Sequence, residues 1–231
     1  MAMGLASAGA AVVIGARQQS KSEVALHQLR GVQADCDAIP LDVGSADSCR
    51  QAIATIVQRF GRLDILLNNA GMSVRKLPQD LTEPDWQTVI DINLTGALRC
   101  AQAAYPHLKT GGRGKIINIG SMYSQFGAPM VAAYAASKGG IVQLTRSLAA
   151  AWAPDQIQVN AILPGWIDTE LTQTARLQIS SLNDAVLSRT PAGRWGNPED
   201  LAGAAIFLSG EASKFVTGSC ITVDGGYSSR G

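Results

Sequence analysis

Short apolar segments alternate with helix-like segments along almost the whole chain, and this alternation constrains the fold more than any other feature. Most of the apolar segments have no polar face, as expected of strands in a parallel sheet that helices cover on both sides. The sequence therefore predicts an α/β fold with a doubly wound, mostly parallel sheet. The predicted strands are Ala11–Ile14, Ile39–Val43, Leu63–Asn68, Lys115–Ile119, Ile157–Leu163 and Ile221–Val223.

Several predicted helices carry recognisable end signals. Ser45–Phe60 is amphipathic and is followed by a glycine, which is typical of a helix end. Thr82 is a predicted N-cap, with Asp85 three residues further on, and its helix runs towards Leu108. Asn197 opens a late helix. Further helices are predicted at Met1–Ala8 and Lys21–Leu29 and in the segment that ends at Trp152.

The segment Trp166–Thr190 has the least regular pattern in the chain. A long connection between a strand and a late helix often forms a lid or a binding segment. A mobile surface insertion explains its composition equally well, so both interpretations stay open at this point.

Length and composition favour one globular domain that spans residues 1–231. The chain has 46% hydrophobic and 16% charged residues and a net charge of +1. A charge so close to zero gives no reason to expect nucleic acid or an anionic membrane as a partner. No apolar run reaches the ~20 residues that span a bilayer.

Cysteine and histidine usage indicates a cytoplasmic protein without a metal centre. The cysteines at 36, 49, 100 and 220 are scattered, which suits reduced, buried thiols. The first residues lack the basic region of a secretory signal. With only two histidines in the chain, a metal cluster is not expected.

Tyr134 and Lys138 form a candidate proton-transfer pair. They stand four residues apart in an alanine-rich segment, so on a helix they share one face. A free tyrosine has a pKa of about 10, and a fixed ammonium one turn away favours its phenolate form. Ser121 follows a predicted strand, where its hydroxyl can hydrogen-bond a substrate oxygen. Taken alone, the Tyr-x-x-x-Lys pattern is explained better by a chance pair on a helix than by a catalytic pair.

Further motifs accompany this pair in a fixed order. Asn68–Gly71 follows one predicted strand, Asn93 lies within Asp91–Leu94, and Pro164 and Gly165 follow another strand. In this order and spacing the motifs resemble the short-chain dehydrogenase/reductase family over the whole chain. The resemblance implies a Rossmann-like, dinucleotide-binding fold and an NAD(P)-dependent alcohol dehydrogenase or ketoreductase.

The resemblance also implies the residues of the active site. Tyr134 is then the acid or base, Lys138 lowers its pKa, Ser121 holds the substrate oxygen, and Asn93 anchors a water relay. Backbone groups near Ile167 and the hydroxyl of Thr169 are expected at the nicotinamide carboxamide. The cofactor-binding residues that the resemblance implies are Asp42, Val43, Asn69, Ala70, Gly71, Tyr134, Lys138, Pro164, Gly165, Ile167 and Thr169.

The choice between NADP and NAD depends on the end of the strand near Ile14. An acidic residue at this place binds the ribose 2′-hydroxyl of NAD, whereas an arginine accommodates the 2′-phosphate of NADP. The chain has Arg17 here and no acid at the strand end. NADP(H) is therefore the predicted cofactor, with NAD(H) as the alternative, although a solvated arginine is also common at a strand end.

The glycine-rich turn that normally holds the pyrophosphate is the one departure from the family pattern. Relatives carry Thr-Gly-x-x-x-Gly-x-Gly between the first strand and its helix, whereas this sequence starts at Met1 inside the predicted helix. Either the sequence starts late, which we expect because the rest of the site is intact, or the product lacks the pyrophosphate site. The sheet is then expected to lack its first strand and to have two new edges.

The substrate is predicted to be a small alcohol or ketone. Met122–Phe126 and Thr190–Gly196 resemble sugar-acid and polyol dehydrogenases of the family, and Arg75 and Lys76 are candidates to meet a carboxylate. A 3-oxoacyl-carrier-protein reductase is the alternative.

Extensive apolar surface on the predicted helices indicates a homo-oligomer, and the resemblance implies a homotetramer.

Two functions of other classes compete with an oxidoreductase. A serine hydrolase needs a base beside its nucleophile, and the sequence has no Gly-x-Ser-x-Gly motif. A non-catalytic binding or scaffold protein is the stronger competitor, because the glycine-rich turn is not in the sequence. A titration with NADPH distinguishes this protein class from an enzyme.

Overall fold

The computed structural model describes residues 1–230, without the side chains at positions 19, 21, 170, 171 and 178. Strands and helices alternate through most of this range, as predicted. The strands are β1 (Val13–Ala16), β2 (Asp37–Pro40), β3 (Ile65–Asn68), β4 (Lys115–Ile119), β5 (Gln158–Pro164) and β6 (Cys220–Val223). The α-helices are α1 (Ala2–Ser7), α2 (Gln19–Arg30), α3 (Ala46–Phe60), α4 (Glu83–Ile90), α5 (Gly96–Gly111), α6 (Ala132–Trp152), α7 (Glu170–Gln178), α8 (Leu182–Arg189) and α9 (Ala202–Ser209).

All strand pairs in these strands are parallel, which confirms the predicted α/β fold. One sheet has the order β3-β4-β5-β6, and a separate pair is formed by β1 and β2. Register joins Ile117 to Leu67 on one side and to Asn160 on the other. The carboxyl ends of β3, β4 and β5 therefore meet at one edge of the sheet.

The core lies on both faces of β4, whose five residues are all buried. Ile116 packs with α3, α5 and α6 on one face. Ile117 and Ile119 pack with α9 on the other face. This division follows from the period of two along a strand, which sends neighbouring side chains to opposite faces. The helices thus form two layers around the sheet.

The two sheets separate between β1 and β3, each of which pairs with one strand within the described residues. The four residues of β3 are all partly exposed, in contrast to the buried β4. This agrees with the expectation of two open edges in the middle of a doubly wound sheet.

Two predicted strands are displaced from their observed positions. β1 begins at Val13 rather than Ala11, and β2 spans Asp37–Pro40 rather than Ile39–Val43. Asp37 is buried at the start of β2, where Arg59 and Arg30 pair with its carboxylate. An ion pair across the fold thus allows a charged residue to begin a strand.

The segment Trp166–Thr190 is more regular than its sequence pattern suggested. It contains the helices α7 and α8, so the expectation of an irregular connection was wrong. Thr169 begins α7 through a capping box with Thr172. Within residues 1–230 we also find no helix with the length and apolar character that crossing a bilayer requires.

Candidate active site

The candidate active site lies at the carboxyl edge of β3, β4 and β5. Asn69–Gly71 follows β3, Ser121 follows β4 and Gly165 follows β5. Parallel pairing brings the three segments to the same edge, and helix α6 contributes Tyr134 and Lys138 from beside β5. Ligands bind at this edge in open α/β sheets.

Lys138 is held firmly inside the protein. Its side chain is buried, and its Nζ donates a hydrogen bond of 2.6 Å to the backbone oxygen of Ile119, the last residue of β4. The same Nζ lies 5.7 Å from the centre of the Tyr134 ring. The predicted pair therefore shares one face of α6, as the four-residue spacing requires.

Burial shifts the pKa of both members of the pair. Burial raises the pKa of the Tyr134 hydroxyl, and a hydrogen bond with Ser121 lowers it by a smaller amount. Burial also lowers the pKa of Lys138 to about 8. Burial is thus the largest influence on the pKa of both groups, and the Lys138 ammonium donates to Ile119. The expected lowering of the Tyr134 pKa by Lys138 stays a prediction.

The position of Ser121 after β4 depends on the small residue before it, Gly120. A Cβ at Gly120 would lie 2.3 Å from Cδ2 of Leu163, so a larger residue would push β4 and β5 apart. The backbone N–H of Gly120 continues the pairing by donating to the oxygen of Ile162 at 2.8 Å. Ser121 then has an extended backbone, and its hydroxyl accepts a hydrogen bond from the N–H of Tyr123 at 3.2 Å.

Asn93 connects the loop after β3 to helix α6. It lies in a single π-helical turn between α4 and α5. Its Oδ1 accepts from the N–H of Met72 at 2.8 Å, and its Nδ2 donates to Met72 O at 2.9 Å and to Ser137 Oγ at 3.0 Å. Both N–H donors of the amide are therefore used. The side chain thus holds the loop after β3 against α6, and the water relay expected at Asn93 stays a prediction.

The loop Asn69–Gly71 lies directly beside this group. All three residues are exposed. A Cβ at Gly71 would lie 3.5 Å from both Asn93 Oδ1 and Lys138 Nζ. The structure thus brings together the predicted cofactor loop and two of the predicted catalytic residues.

Asp42 and Val43 follow β2, and Val43 contacts the start of α5. A Cβ at Gly96 would lie 2.9 Å from Cγ2 of Val43, and Arg99 donates to Val43 O at 3.3 Å. Asp42 Oδ1 accepts from the N–H of Gly44 at 2.9 Å. These contacts fix the loop at the carboxyl edge of the β1–β2 pair.

Arg17 is exposed directly after β1. Among the described residues it has no ion pair. It lies at the carboxyl edge of its strand, as the sequence predicted.

Ile167 and Thr169, both predicted near the nicotinamide, follow β5. The Ile167 side chain is buried in the core against α9, and its backbone bridges to Gly196. The hydroxyl of Thr169 lies 3.3 Å from that of Thr172 in the cap of α7. Pro164 and Gly165 complete the turn, where the N–H of Gly165 donates to Val223 O at 3.0 Å. Ile167 is therefore available to a ligand only through its backbone.

A cavity of about 350 Å³ opens beside these residues. Ser121 and Tyr134 line it together with Arg75, Met122 and Tyr123, all five singled out in the sequence. Its volume falls in the usual range for small-molecule sites. Trp166, Thr172, Thr174 and Ala175 also line the cavity, and they belong to Trp166–Thr190, which the sequence offered as a candidate binding segment. Ser73 and Val131 complete the wall, and no sequence signal indicated either residue.

The two basic residues proposed for a carboxylate have different environments. Lys76 forms an ion pair of 2.6 Å with Asp85, and this contact holds the pKa of Asp85 at about 2. Arg75 lines the cavity, and among the described residues it has no ion pair. The geometry therefore leaves Arg75 available to an anionic ligand.

The residues present fit the nicotinamide nucleotide that the fold implies. The ammonium of Lys138 has three N–H donors, and among the described residues Ile119 O is the one acceptor that it meets. A buried donor without an acceptor is costly, and ribose hydroxyls would satisfy it. The exposed loop at Gly71 lies close to this ammonium, since a Cβ added at Gly71 would be 3.5 Å from Nζ.

The chain is similar to known oxidoreductases over almost its whole length. Residues 1–228 match the family model described as enoyl-(acyl carrier protein) reductase. The 2-dehydro-3-deoxy-D-gluconate 5-dehydrogenase of Formosa agariphila is 41% identical, over 98% of this chain and 86% of its own. A 3-oxoacyl-[acyl-carrier-protein] reductase of Thermotoga maritima is 34% identical, over 96% and 89%. The crystal structure of a gluconate 5-dehydrogenase from Burkholderia cenocepacia, in complex with NADP and tartrate, has a TM-score of 0.94 and 41% identity, over 100% of this chain and 90% of its own.

Proposed function

The chain belongs to the short-chain dehydrogenase/reductase family, and from that premise we propose that it interconverts a sugar acid and its keto form. NADP(H) is the proposed cofactor, and residues 1–231 form the single oxidoreductase domain. The observation that carries the proposal is the cavity that Ser121, Tyr134 and Arg75 line together. In this proposal Ser121 and Tyr134 bind the substrate oxygen, and Arg75 supplies a cation to the same small substrate.

The proposed chemistry assigns one task to each residue. When bound, NADP(H) supplies or accepts the hydride. Tyr134 gives a proton to the substrate oxygen in reduction and takes it back in oxidation, and Ser121 holds that oxygen by a hydrogen bond. The Lys138 ammonium stabilises the charge left on Tyr134 and binds the ribose. Asn93 fixes the loop after β3 against α6.

The proposed cofactor site extends from Arg17 to the turn after β5. Arg17 meets the 2′-phosphate, and Asp42 and Val43 border the adenine. Exposure of Arg17 and the NADP in the relative from Burkholderia cenocepacia support this choice over NAD. The residues proposed along the cleft are Asn69, Ala70, Gly71, Tyr134, Lys138, Pro164, Gly165, Ile167 (through its backbone) and Thr169.

Arg75 is the proposed partner of the substrate carboxylate. A guanidinium binds a carboxylate through two parallel hydrogen bonds, which fixes the orientation of the acid. Lys76 is excluded from this role by its ion pair with Asp85. The tartrate in the relative from Burkholderia cenocepacia is a hydroxylated acid, which supports the same class of substrate.

Two unsatisfied polar atoms favour a sugar acid over an acyl chain. Ser73 Oγ and Trp166 Nε1 are buried in the wall of the cavity, and neither has a partner among the described residues. An unsatisfied buried polar group costs about 1–3 kcal/mol. Both atoms are fully buried, so a small rotation of each side chain towards the cavity would let substrate hydroxyls satisfy them, whereas an alkyl chain would not. The 3-oxoacyl-carrier-protein reductase therefore remains the second candidate.

We also propose a cytoplasmic location and a homotetramer. The four cysteines are free thiols, as in a reducing compartment.

Phe207 on α9 is 39% exposed and Phe215 is fully exposed, and such apolar surface is usual at subunit contacts. Sedimentation at micromolar concentration tests the assembly. A monomer would contradict it.

A comparison of two ketones tests the proposed function. The purified chain is given NADPH with 5-keto-gluconate or with an acetoacetyl thioester, and loss of NADPH absorbance is followed. We expect a higher kcat/KM for the sugar acid. A preference for the thioester would support the second candidate, and NADPH affinity without turnover of either ketone would support a binding protein.

A further inference from the structure

A serine outside the predicted tetrad links two of its members. Ser124 Oγ accepts a hydrogen bond from the backbone N–H of Ser121 at 3.2 Å. The same oxygen donates to the backbone oxygen of Lys138 at 2.7 Å. One hydroxyl thus joins the residue that holds the substrate oxygen to the helix that carries the proton-transfer pair.

The chemistry of a hydroxyl suits this double contact. A serine hydroxyl has one donor and two acceptor positions, so it can bridge an N–H and a carbonyl that would otherwise not meet. Lys138 O belongs to helix α6, and Ser121 N–H belongs to the turn after β4. An alanine at position 124 would leave the N–H of the buried Ser121 without this partner.

The residues next to the Ser124 hydrogen-bond bridge form one short turn. Met122–Ser124 forms one 3-10 turn, in which the N–H of Ser124 donates to Ser121 O at 2.9 Å. A Cβ at Gly120 would lie 3.1 Å from Ser124 Oγ, so the hydroxyl fills the space beside the end of β4. The turn has little freedom to shift while this contact exists.

We propose that Ser124 is a positioning residue, which sets the separation between the Ser121 hydroxyl and the Tyr134 hydroxyl on α6. The inference rests on the proposed function, because it assigns Ser121 and Tyr134 to the same substrate oxygen. Ser124 itself touches neither the substrate nor the cofactor in this scheme. It acts through Ser121 and through the backbone of Lys138.

The Ser124→Ala variant tests the proposal on whichever ketone the wild-type enzyme reduces with NADPH. We expect kcat to fall by roughly 10- to 100-fold, since a shift of about 1 Å in a reacting group has an effect of this size. KM and NADPH affinity are expected to stay close to wild type. The pH–rate profile should move to higher pH, because the Ser121 contact that lowers the pKa of Tyr134 is weakened. The other titratable groups around Tyr134 are Lys138, Tyr123 and Arg75.

Two further variants separate positioning from general stability. Ser124→Thr keeps the hydroxyl and should restore most of kcat and the wild-type profile. Ser213→Ala removes another buried hydroxyl, which donates to Leu208 O at 3.0 Å near the opposite end of β4. This control should lower the melting temperature without moving the profile.

Hydrogen exchange of the Ser121 amide gives a readout that needs no substrate. Protection of this amide should fall in Ser124→Ala and return in Ser124→Thr. Wild-type kcat and a wild-type pH–rate profile in Ser124→Ala would overturn the proposal. A lower kcat with an unmoved pH–rate profile would also overturn it, because Ser213→Ala is expected to leave the profile unmoved through a loss of stability alone. Turnover of the thioester instead of the sugar acid would refute the proposed substrate but leave this test intact.

Discussion

The Nζ of Lys138 donates a 2.6 Å hydrogen bond to the backbone oxygen of Ile119 and thereby ties helix α6 to the end of β4. Because burial lowers the pKa of Lys138 to about 8, the folded protein binds its proton less tightly than the unfolded chain, where the pKa is about 10.4. The lysine therefore destabilises the fold at neutral pH, and this penalty decreases as the pH rises from about 8 towards about 10.

The Lys138→Met variant is expected to show this linkage. The melting temperature of the variant minus that of the wild type should be largest near neutral pH. This difference should decline between about pH 8 and pH 10, because only the wild type loses a buried charge in that range. Turnover should be lost, and NADPH affinity should fall about tenfold or more through the missing charged hydrogen bonds. A difference in melting temperature that stays constant over this pH range would argue against a desolvated ammonium.

Arg75 and Lys76 provide a matched pair for substrate recognition. Arg75→Met should raise KM for a sugar acid by roughly 10- to 100-fold, because it removes charged hydrogen bonds to the carboxylate. Lys76→Met should leave KM nearly unchanged, since Lys76 already pairs with Asp85. Steady-state kinetics on both variants give the comparison. Equal effects of the two substitutions would remove Arg75 from its proposed role.

The charge after β1 is expected to govern cofactor choice. Arg17→Asp should move the ratio of kcat/KM for NADPH and NADH towards NADH by about tenfold or more, because a carboxylate repels the 2′-phosphate and accepts a bond from the 2′-hydroxyl. Lys214→Asp is the control, since Lys214 is exposed beside Ser213, near the opposite end of β4. If both variants kept the wild-type ratio, Arg17 would be a solvated surface residue.

The open edges of β1 and β3 lead to a prediction about the sheet. We expect a fused apolar strand with a Gly-x-x-x-Gly-x-Gly turn ahead of Met1 to raise the melting temperature, since it would pair backbone groups on both edges. NADPH affinity should rise about a hundredfold if the turn adds two hydrogen bonds to the pyrophosphate. Calorimetry on the chain with and without the fused segment measures both. Equal affinity would mean that the cofactor is held in another way.

Sequence patterns predicted those parts of the fold that depend on local burial. Lys115–Ile119 was predicted with its observed bounds, because its three closely spaced isoleucines favour a buried strand. β2 was displaced because Asp37 is buried through its ion pair with Arg59, a residue 22 positions away in the chain. Contacts of this kind have no signature in a short window of sequence.

The same limit applies to the site. Ser121, Tyr134 and Lys138 form a recognisable motif, so their place at the carboxyl edge could be predicted. The distinction between Arg75 and Lys76 could not, because it depends on the orientation of Asp85 in the cap of α4. The bridging role of Ser124 depends on a backbone carbonyl 14 residues away, which no side-chain pattern reveals.

The central claim is that Tyr134 transfers the proton in an NADP(H)-dependent reaction, and the Tyr134→Phe variant tests it most directly. Calorimetric titration with NADPH and single-turnover kinetics on a sugar acid are measured for the variant and the wild type. The account predicts a rate lower by about 10²- to 10⁴-fold with unchanged NADPH affinity, since only the proton donor is removed. A variant that reduces the ketone at the wild-type rate would contradict the account.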